Sequence, residues 1–306
     1  MTAQQGFSVD VLCVGNASFD LVFGVEAHPA ADEKTIANSF LSCGGGPAAN
    51  AAVAVSRLGH KAAFAGYLGN DVFGDLHFAG LQQEGVNVDL VVRGDVPTPL
   101  SAILVKPDGK RTVINHATGA KPLPQTSVDF SRCTPKVILF DGHEPELSLS
   151  LAGDAKRRSI PSVLDAGSVH RGTQELVVLV DYVVASEKFA TDFTGETDAV
   201  QALVKLSKRA SSVVITLGER GLIWKNSESE GRLPAFIIEA IDTTGAGDAF
   251  HGAFAAGLVK QMKWNDLLRY ASAVGALCCT KLGARPSLPT AQQMKNFLKF
   301  AHLRLL

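Results

Sequence analysis

Short apolar runs rich in β-branched residues alternate with helix-forming segments along most of the chain, and this alternation limits the fold more than any other feature. The runs cover residues 9–14, 62–67, 88–92, 137–140, 162–165, 182–185 and 213–217. Strands that are separated by helices run in the same direction and need helices on both faces to bury them. The sequence therefore predicts an α/β fold of three layers, in which a mostly parallel central sheet lies between two layers of helices.

One region interrupts this alternation with a hairpin signal. Residues 101–105 and 111–115 are strand-like and are joined by a Lys-Pro-Asp-Gly-Lys turn, which favours an antiparallel hairpin. We predict that residues 20–42 and 96–116 form a small antiparallel β inset, called the lid below. Because no linker or repeat divides the rest of the chain, we expect a single domain over residues 1–306 that carries this lid.

Charge and cysteine content narrow the class of ligand and the compartment. The 29 lysines and arginines nearly balance the 30 aspartates and glutamates, so the net charge of −1 provides no general attraction to nucleic acid or an acidic membrane. The five cysteines are scattered without a CxxC pair, which argues against a disulfide framework and a zinc site. No apolar stretch approaches the ~18 residues of a membrane span. We expect a cytoplasmic protein that binds small molecules, with neither nucleic acid nor membrane as a partner.

The most specific motif is Asp-Thr-Thr-Gly-Ala-Gly-Asp-Ala-Phe at residues 242–250. Gly245 and Gly247 remove Cβ obstruction where backbone amides converge at the start of a helix, so this turn, with Ala246, is suited to hold a phosphoryl group. Asp248 follows on the first helical turn, where a carboxylate can accept a proton from an attacking hydroxyl. The competing interpretation is that Asp248 only caps the helix and that the glycines form a tight turn.

A second glycine-rich loop, Gly-Gly-Gly-Pro-Ala-Ala-Asn at residues 44–50, also opens a helix. Gly45 and Gly46 would let sugar hydroxyls approach the backbone, and Asn50 can both donate to and accept from a diol. An ordinary strand-to-helix loop is the alternative. Neither loop has the dinucleotide or the P-loop pattern. Since one loop suits a phosphate and the other a polyol, the pair indicates a site for both.

These two motifs, together with Gly-Ala-Arg-Pro-Ser at residues 283–287, resemble the PfkB-type (ribokinase-like) carbohydrate kinases over nearly the whole chain. The resemblance implies a ribokinase-like fold whose β lid closes over the sugar. It also implies an enzyme that transfers the γ-phosphate of ATP to a primary hydroxyl, with Mg²⁺ as cofactor. The expected acceptor is a ketose of the fructose or sulfofructose type, or ribose.

The resemblance assigns roles to individual positions. Asp248 matches the catalytic base, and the backbone of Gly245, Ala246 and Gly247 matches the anion hole. Asp20, Gly46 and Asn50 match sugar contacts. Thr216 and Gly218 match a segment that lies along the nucleotide. Asp242, Thr244 and Ser287 match a loop that binds a monovalent cation such as K⁺. The guanidinium of Arg285 is an alternative to K⁺. Each position outside the 242–250 motif can also be explained as a turn residue at the end of a strand.

The sequence departs from the family pattern at two places. Many members have an NxxE motif that organises Mg²⁺ and phosphate, whereas this chain reads Ser186-Glu187-Lys188-Phe189. Ser186 and Glu187 are therefore the candidates on the nucleotide side, with Glu187 or water replacing the motif. Ribokinases have a lysine where this chain has Pro47, which weakens an assignment to ribose.

Within the family, the likeness is greatest to sulfofructose kinase-like members. Lys34 and Asn115 match positions that engage the sulfonate there, while His143 stands where those enzymes have an arginine. If Lys34 and Arg111 converge across the lid, they form a cationic corner for an anionic group on the sugar. Otherwise they are solvated lid charges, and a neutral sugar is the substrate.

Two other functions fit the same residues. A nucleoside kinase of the same family would stack its base on an aromatic side chain, for which the lid offers Phe23 and Phe40. A catalytically silent sugar-binding regulator would keep the fold, but it would not need a base beside an anion hole. We further expect a homodimer formed through the lid.

Overall fold

The computed structural model describes residues 6–117, 119 and 121–301, so the two ends of the predicted domain lie outside the described residues. The strands are β1 (Phe7–Val14), β2 (Ser18–Gly24), β3 (Ser39–Gly45), β4 (Ala62–Gly69), β5 (Asn87–Gly94), β6 (Leu100–Val105), β7 (Arg111–His116), β8 (Cys133–Phe140), β9 (Ser162–Ala166), β10 (Tyr182–Ser186), β11 (Ser212–Thr216), β12 (Leu222–Lys225) and β13 (Glu230–Leu233). The α-helices are α1 (Pro47–Arg57), α2 (Val72–Gln83), α3 (Pro145–Arg157), α4 (Arg171–Leu176), α5 (Glu187–Thr194), α6 (Ala199–Leu206), α7 (Ala246–Val259), α8 (Trp264–Cys278), α9 (Ala284–Ser287) and α10 (Ala291–Phe300). None of these helices is long and apolar enough to cross a bilayer.

The central sheet contains nine of the described strands, in the order β13-β12-β11-β10-β9-β8-β1-β4-β5. From β11 to β5 every pair of neighbours is parallel, and β12 and β13 add antiparallel strands at one edge. The predicted α/β fold with a mostly parallel sheet is confirmed. Because the parallel strands end at the same edge, the loops that follow β1, β8, β9, β10 and β11 lie together there.

The side chains of each central strand pack alternately into two cores, one on either face of the sheet. On β1, Val11 and Cys13 belong to the core under α1, α7 and α8, whereas Leu12 and Val14 belong to the core under α3 to α6. All four side chains are at most 1% exposed, which is why the strand reads as a continuous apolar run rather than an alternating one.

Helices α1 and α7 touch along their small side chains. A Cβ on Gly252 of α7 would lie 2.7 Å from the carbonyl oxygen of Ala51 and 2.9 Å from the Cβ of Ala54, both on α1. Only glycine fits there, because real Cβ atoms do not approach so closely. Since each helix begins at one of the two glycine-rich loops, this contact fixes the two loops side by side.

The lid contains a separate four-stranded sheet in the order β3-β2-β6-β7. Its outer pairs, β2 with β3 and β6 with β7, are antiparallel, while the central pair β2 and β6 is parallel. One face is buried through Val22, Ile103 and Val105. The same face carries a row of neighbouring polar residues that runs across all four strands, Cys43, Asp20, Ser101 and Asn115.

Candidate active site

The motif at residues 242–250 forms the start of α7. Gly245 precedes the helix with φ of 78°, a left-handed conformation that favours glycine, and a Cβ there would lie 2.6 Å from the Cβ of Ala284. Gly247 faces open space, since a Cβ at this position would have no neighbour within 4 Å. The first amides of a helix have no acceptor within it, and the amide of Ala246 makes only a long bond of 3.4 Å to the carbonyl oxygen of Thr243. The turn of Gly245, Ala246 and Gly247 is therefore suited to offer donors and the positive end of the helix to a ligand.

Asp248 lies in this first turn and is partly buried. The side-chain amide of Asn50, from the other glycine-rich loop, donates to its Oδ2 over 2.8 Å. Burial and the nearby carboxylate of Asp165 raise the pKa of Asp248, and the hydrogen bond from Asn50 opposes them. The carboxylate can therefore take up a proton close to neutral pH, as a general base must.

The glycines at 44–46 are required by packing within the protein. A Cβ on Gly44 would collide with the guanidinium of Arg285, and a Cβ on Gly45 would collide with the carboxylate of Asp20. Gly46 has φ of 92°, and a Cβ there would lie 2.5 Å from the carbonyl oxygen of Asn16. The side chains of Arg285 and Asp20 thus occupy the space next to Gly44 and Gly45, where a larger residue would place its own side chain.

Asp20 lies on the buried face of the lid at 5% exposure. The hydroxyl of Ser18 donates to its Oδ1 over 3.0 Å, and Ser101 also hydrogen bonds to it. Burial raises the pKa of Asp20 despite these bonds. Asn115 is exposed. Ser101 is the cross-strand neighbour of both Asp20 and Asn115, so these two predicted substrate contacts point to the same side of the lid.

Arg285 is buried at 5% exposure, and its guanidinium lies against the loop at residues 44–50. Its Nη2 donates to Nε2 of His77 over 2.7 Å and to Oδ1 of Asn50 over 3.4 Å. Asn50 therefore accepts from Arg285 and donates to Asp248. The sequence singled out Arg285 for the cation loop and missed this link, which depends on a contact between residues far apart in the chain.

The predicted cation loop is held together by one buried carboxylate. Asp242, 1% exposed, accepts from the amide and the hydroxyl of Thr244 over 2.9 and 2.6 Å, and from the amide of Gly283 over 2.8 Å. Ser287 donates to the carbonyl oxygen of Gly283 over 2.5 Å. The structure thus brings Asp242, Thr244 and Ser287 into two adjoining turns. These are hard oxygen donors of the kind that alkali cations prefer.

The nucleotide side of the site is a cavity of about 310 Å³. Thr216 and Gly218 line it from the end of β11, and Ala246 and Gly247 line it from the start of α7. The remaining walls are mostly apolar and include Phe236 and Phe250. A flat aromatic base next to an anion-binding helix end is the ligand that such a cavity suits.

Ser186 is the last residue of β10 and pairs with Thr216 on β11, and Glu187 begins α5. The hydroxyl of Ser186 caps α5 by accepting from the amide of Phe189 over 2.9 Å, and Glu187 forms an ion pair with Arg220. Phe189 is fully buried against Phe193, so the position where many relatives are expected to have the glutamate of the NxxE motif is part of the core here. Among the described residues, no group of three or more His, Cys, Asp or Glu side chains is arranged to hold a metal ion.

The predicted anion contacts are spread over the lid and the sheet edge. Lys34 is exposed in the connection between β2 and β3. Arg111 donates from Nη1 to the hydroxyl of Thr243 over 2.6 Å, which places its guanidinium beside the 242–250 motif. His143 is exposed and stacks on His170 with ring centroids 4.5 Å apart.

Asp141, immediately after β8, is a residue that sequence reasoning missed. Its buried carboxylate accepts from the amide of Asn16 over 2.8 Å, of Ala48 over 3.1 Å and of His143 over 2.9 Å. It thereby ties the loop after β1, the start of α1 and the loop after β8 to one point. An acid directly after a buried strand was the available signal.

Comparison with known proteins agrees with this geometry. The model of the pfkB family carbohydrate kinases matches residues 9–291, and the chain belongs to this family. It is 29% identical to a ribokinase of Lactococcus lactis over 96% of this chain and 99% of that one, and 30% identical to fructokinase-1 of Zea mays over 87% and 91%.

Solved structures show the same fold. A putative ribokinase from Agrobacterium tumefaciens superposes with a TM-score of 0.87 at 27% identity, covering 96% of this chain and 98% of the other. Arabidopsis thaliana ribokinase complexed with ribose and ATP has a TM-score of 0.80 at 25% identity, with 96% and 100% covered. The expected ribokinase-like fold is confirmed, and the protein is a carbohydrate kinase.

Proposed function

We propose that this carbohydrate kinase transfers the γ-phosphoryl group of ATP to a primary hydroxyl of a ketose or of ribose. The observation that carries the proposal is the 2.8 Å hydrogen bond between Asn50 and Asp248. It joins the loop suited to a polyol to a carboxylate at the helix end suited to a phosphate. The relatives named ribokinase and fructokinase, and the ribokinase complexed with ribose and ATP, support the two substrate classes.

In this reaction Asp248 takes the proton of the sugar hydroxyl while its oxygen attacks the γ-phosphorus in line. The bond between the γ-phosphorus and the bridging oxygen breaks, and ADP leaves. The amides of Gly245 to Gly247 face the charge that develops on the transferred group, where preorganised donors are most effective. Mg²⁺ would neutralise charge on the β- and γ-phosphates. Ser186, at the end of β10, and Glu187, at the start of α5, are the side chains that would hold it, through water.

The test is ATP turnover by the purified protein with fructose, ribose, sulfofructose, fructose 6-phosphate and adenosine. We expect at least one sugar to yield ADP and a sugar phosphate in equal amounts. A preference for adenosine would instead identify a nucleoside kinase. Saturable binding of a sugar in calorimetry, without ADP formation with any acceptor, would identify a regulator.

The charge of the sugar is the finer part of the proposal, and it depends on Lys34. If this exposed lysine binds an anionic group, Lys34→Ala should raise KM for sulfofructose at least ~10-fold, about 1.4 kcal/mol, and leave KM for fructose unchanged. Lys208→Ala, which removes another exposed lysine, is the matched control. Equal KM values for Lys34→Ala and the wild type with every anionic sugar would contradict an anionic substrate.

We also propose that the turns around Asp242 and Gly283 bind K⁺. The buried carboxylate of Asp242 and the backbone carbonyl oxygens of the two turns supply the donor set. Arg285 does not take this place, because its guanidinium contacts Gly44, His77 and Asn50 instead. Rates in potassium, sodium and tetramethylammonium chloride test the site, and equal rates in all three would contradict it.

A second copy of the chain is the proposed partner of the lid. Leu21, Phe23, Phe40, Ala102, Leu104 and Ile114 share the outer face of the lid according to the strand register. Phe40 and Ile114 are each 60% exposed. An apolar sheet face of this kind is self-complementary across a two-fold axis, so a homodimer would bury it.

A further inference from the structure

A buried histidine joins α7, the helix that carries Asp248, to the neighbouring strands β9 and β10. His251 lies on α7 one turn after Asp248 and is 4% exposed. Its Nδ1 lies 2.6 Å from the carbonyl oxygen of Gly247, and its Nε2 lies 3.0 Å from that of Val184 on β10. Oδ2 of Asp165, at the end of β9, lies 3.2 Å from Nδ1. Oxygen atoms from α7, β9 and β10 therefore surround this one ring.

Each ring nitrogen faces a backbone carbonyl oxygen, which can only accept a hydrogen bond. A neutral imidazole has one N–H and one lone pair, so it would direct that lone pair at a carbonyl oxygen. The imidazolium has two N–H donors, which satisfy both carbonyls, and Asp165 supplies the opposite charge.

The protonation of the pair follows from this geometry. Burial lowers the pKa of His251, while the two carbonyl oxygens and Asp248 act in the other direction. Burial also raises the pKa of Asp165. If the proton moved from His251 to Asp165, the Nδ1 lone pair would lie 2.6 Å from the oxygen of Gly247. The ion pair avoids this repulsion.

We propose that His251 is a positioning residue for phosphoryl transfer. As a buried imidazolium paired with Asp165, it holds the first turn of α7 through Gly247 and cancels the charge of Asp165 behind Asp248. Its effect on catalysis rests on the proposed function, because it acts through the base Asp248. Its protonation state does not depend on which reaction the enzyme performs.

The charge of Asp165 matters because it raises the pKa of Asp248. Without a compensating cation, Asp165 would keep the base protonated at a higher pH. The other titratable groups that face these two carboxylates are Asp20 on the lid, Cys278 on α8, Asp141 after β8 and His143. Among the ion pairs of the described residues, His251 is the only partner of Asp165.

The first test measures the protonation of His251 on the full-length protein without substrate. The chain has eight histidines, so the ¹⁵N signals of His251 are assigned by their loss in His251→Gln. We expect both ring nitrogens to remain protonated between pH 6 and 8. A single neutral tautomer at pH 7 would overturn the proposal whatever the substrate is.

The second test compares pH profiles of kcat/KM, with the best sugar of the panel, for the wild type, His251→Phe and the double variant His251→Phe/Asp165→Asn. Phenylalanine keeps a ring but has no charge. We expect the acid limb to move up by about one pH unit in the single variant and to return toward the wild type in the double variant. His251→Gln, which keeps one donor, should show the same shift and serves if His251→Phe does not fold.

A merely structural role for His251 predicts a different result. In that case kcat and the melting temperature fall, the acid limb stays in place, and Asp165→Asn restores nothing. Either an unmoved limb or the absence of rescue would overturn the proposal. If no sugar is a substrate, the proposed function fails while the ¹⁵N measurement still decides the state of His251.

Discussion

The ionisation of Asp248, the proposed base, depends on Asn50, on Asp165 and, through Asn50, on Arg285. Asn50 donates to its carboxylate, Asp165 raises its pKa, and Arg285 holds the amide oxygen of Asn50. With its oxygen facing Arg285, the amide of Asn50 can present only its NH₂ group to Asp248. The orientation of the Asn50 amide therefore affects the basicity of Asp248.

Replacing Asp248, the proposed base, should separate substrate binding from phosphoryl transfer. Asp248→Asn keeps the size of the side chain but cannot take a proton, so we expect kcat to fall at least ~100-fold while the dissociation constants of sugar and ATP change little. Asp192→Asn, at an exposed position on α5, is the control. A variant of Asp248 with more than a tenth of the wild-type kcat would remove it from this role.

The sign of the pH dependence follows from the same residue. Asp248 must be ionised to act as a base, and its pKa is raised by burial and by Asp165. Activity should therefore fall as the solution is acidified, and the fall should begin at a higher pH than it would if the base were an exposed aspartate. A kcat/KM profile that stays flat down to pH 5 would contradict a raised pKa.

At the scale of elements, the sequence predicted units that are local and missed contacts that are not. The alternation of strands and helices was readable because each βα unit is specified within about thirty residues. The parallel pairing of β2 with β6 joins Phe19 to Leu100, and no local pattern encodes such a pair. The burial of Phe189 and the link from Arg285 to Asn50 were hidden for the same reason.

The contact between α1 and α7 should tolerate no added carbon. Gly252→Ala would place a methyl group 2.7 Å from the carbonyl oxygen of Ala51, so we expect a loss of about 1–3 kcal/mol in the free energy of unfolding. Gly153→Ala on α3, where the nearest atom is 3.6 Å away, should be neutral or stabilising because alanine favours helix. Denaturant unfolding of both variants provides the measurement, and equal stabilities would contradict the close packing.

For the molecule as a whole, buried acids should make stability depend on pH, and Glu144 is one that lies outside the proposed catalytic residues. Burial raises the pKa of Glu144, which is 8% exposed before α3, from 4.5 to about 7. The folded state therefore binds this proton more tightly than the unfolded chain, so its contribution is present below pH 4.5 and is lost as the pH rises to about 7. Glu144→Gln should remove its share of this change in the unfolding free energy, while the buried Asp20, Asp165 and Asp248, whose pKa values are also raised, keep theirs. Glu146→Gln, at an ion-paired surface position, should leave the pH dependence unchanged.

The oligomeric state tests the outer face of the lid. Phe40→Asp would place a charge in the proposed interface, so we expect a shift from dimer to monomer in analytical ultracentrifugation. Phe300→Asp changes another exposed phenylalanine, on α10, and should leave the mass unchanged. A wild-type protein that is monomeric at micromolar concentration would contradict the proposed dimer.

The contact of α1 with α7 also limits how this enzyme can acquire a new substrate. Since Gly252 leaves no room for a side chain between the helices, α1 and α7 hold the 44–50 loop and the turn at residues 245–247 close together. Moving those loops apart for a longer sugar would break this helix contact. Selection for a different acceptor would therefore act on the lid, whose residues can vary without disturbing the phosphoryl-transfer geometry.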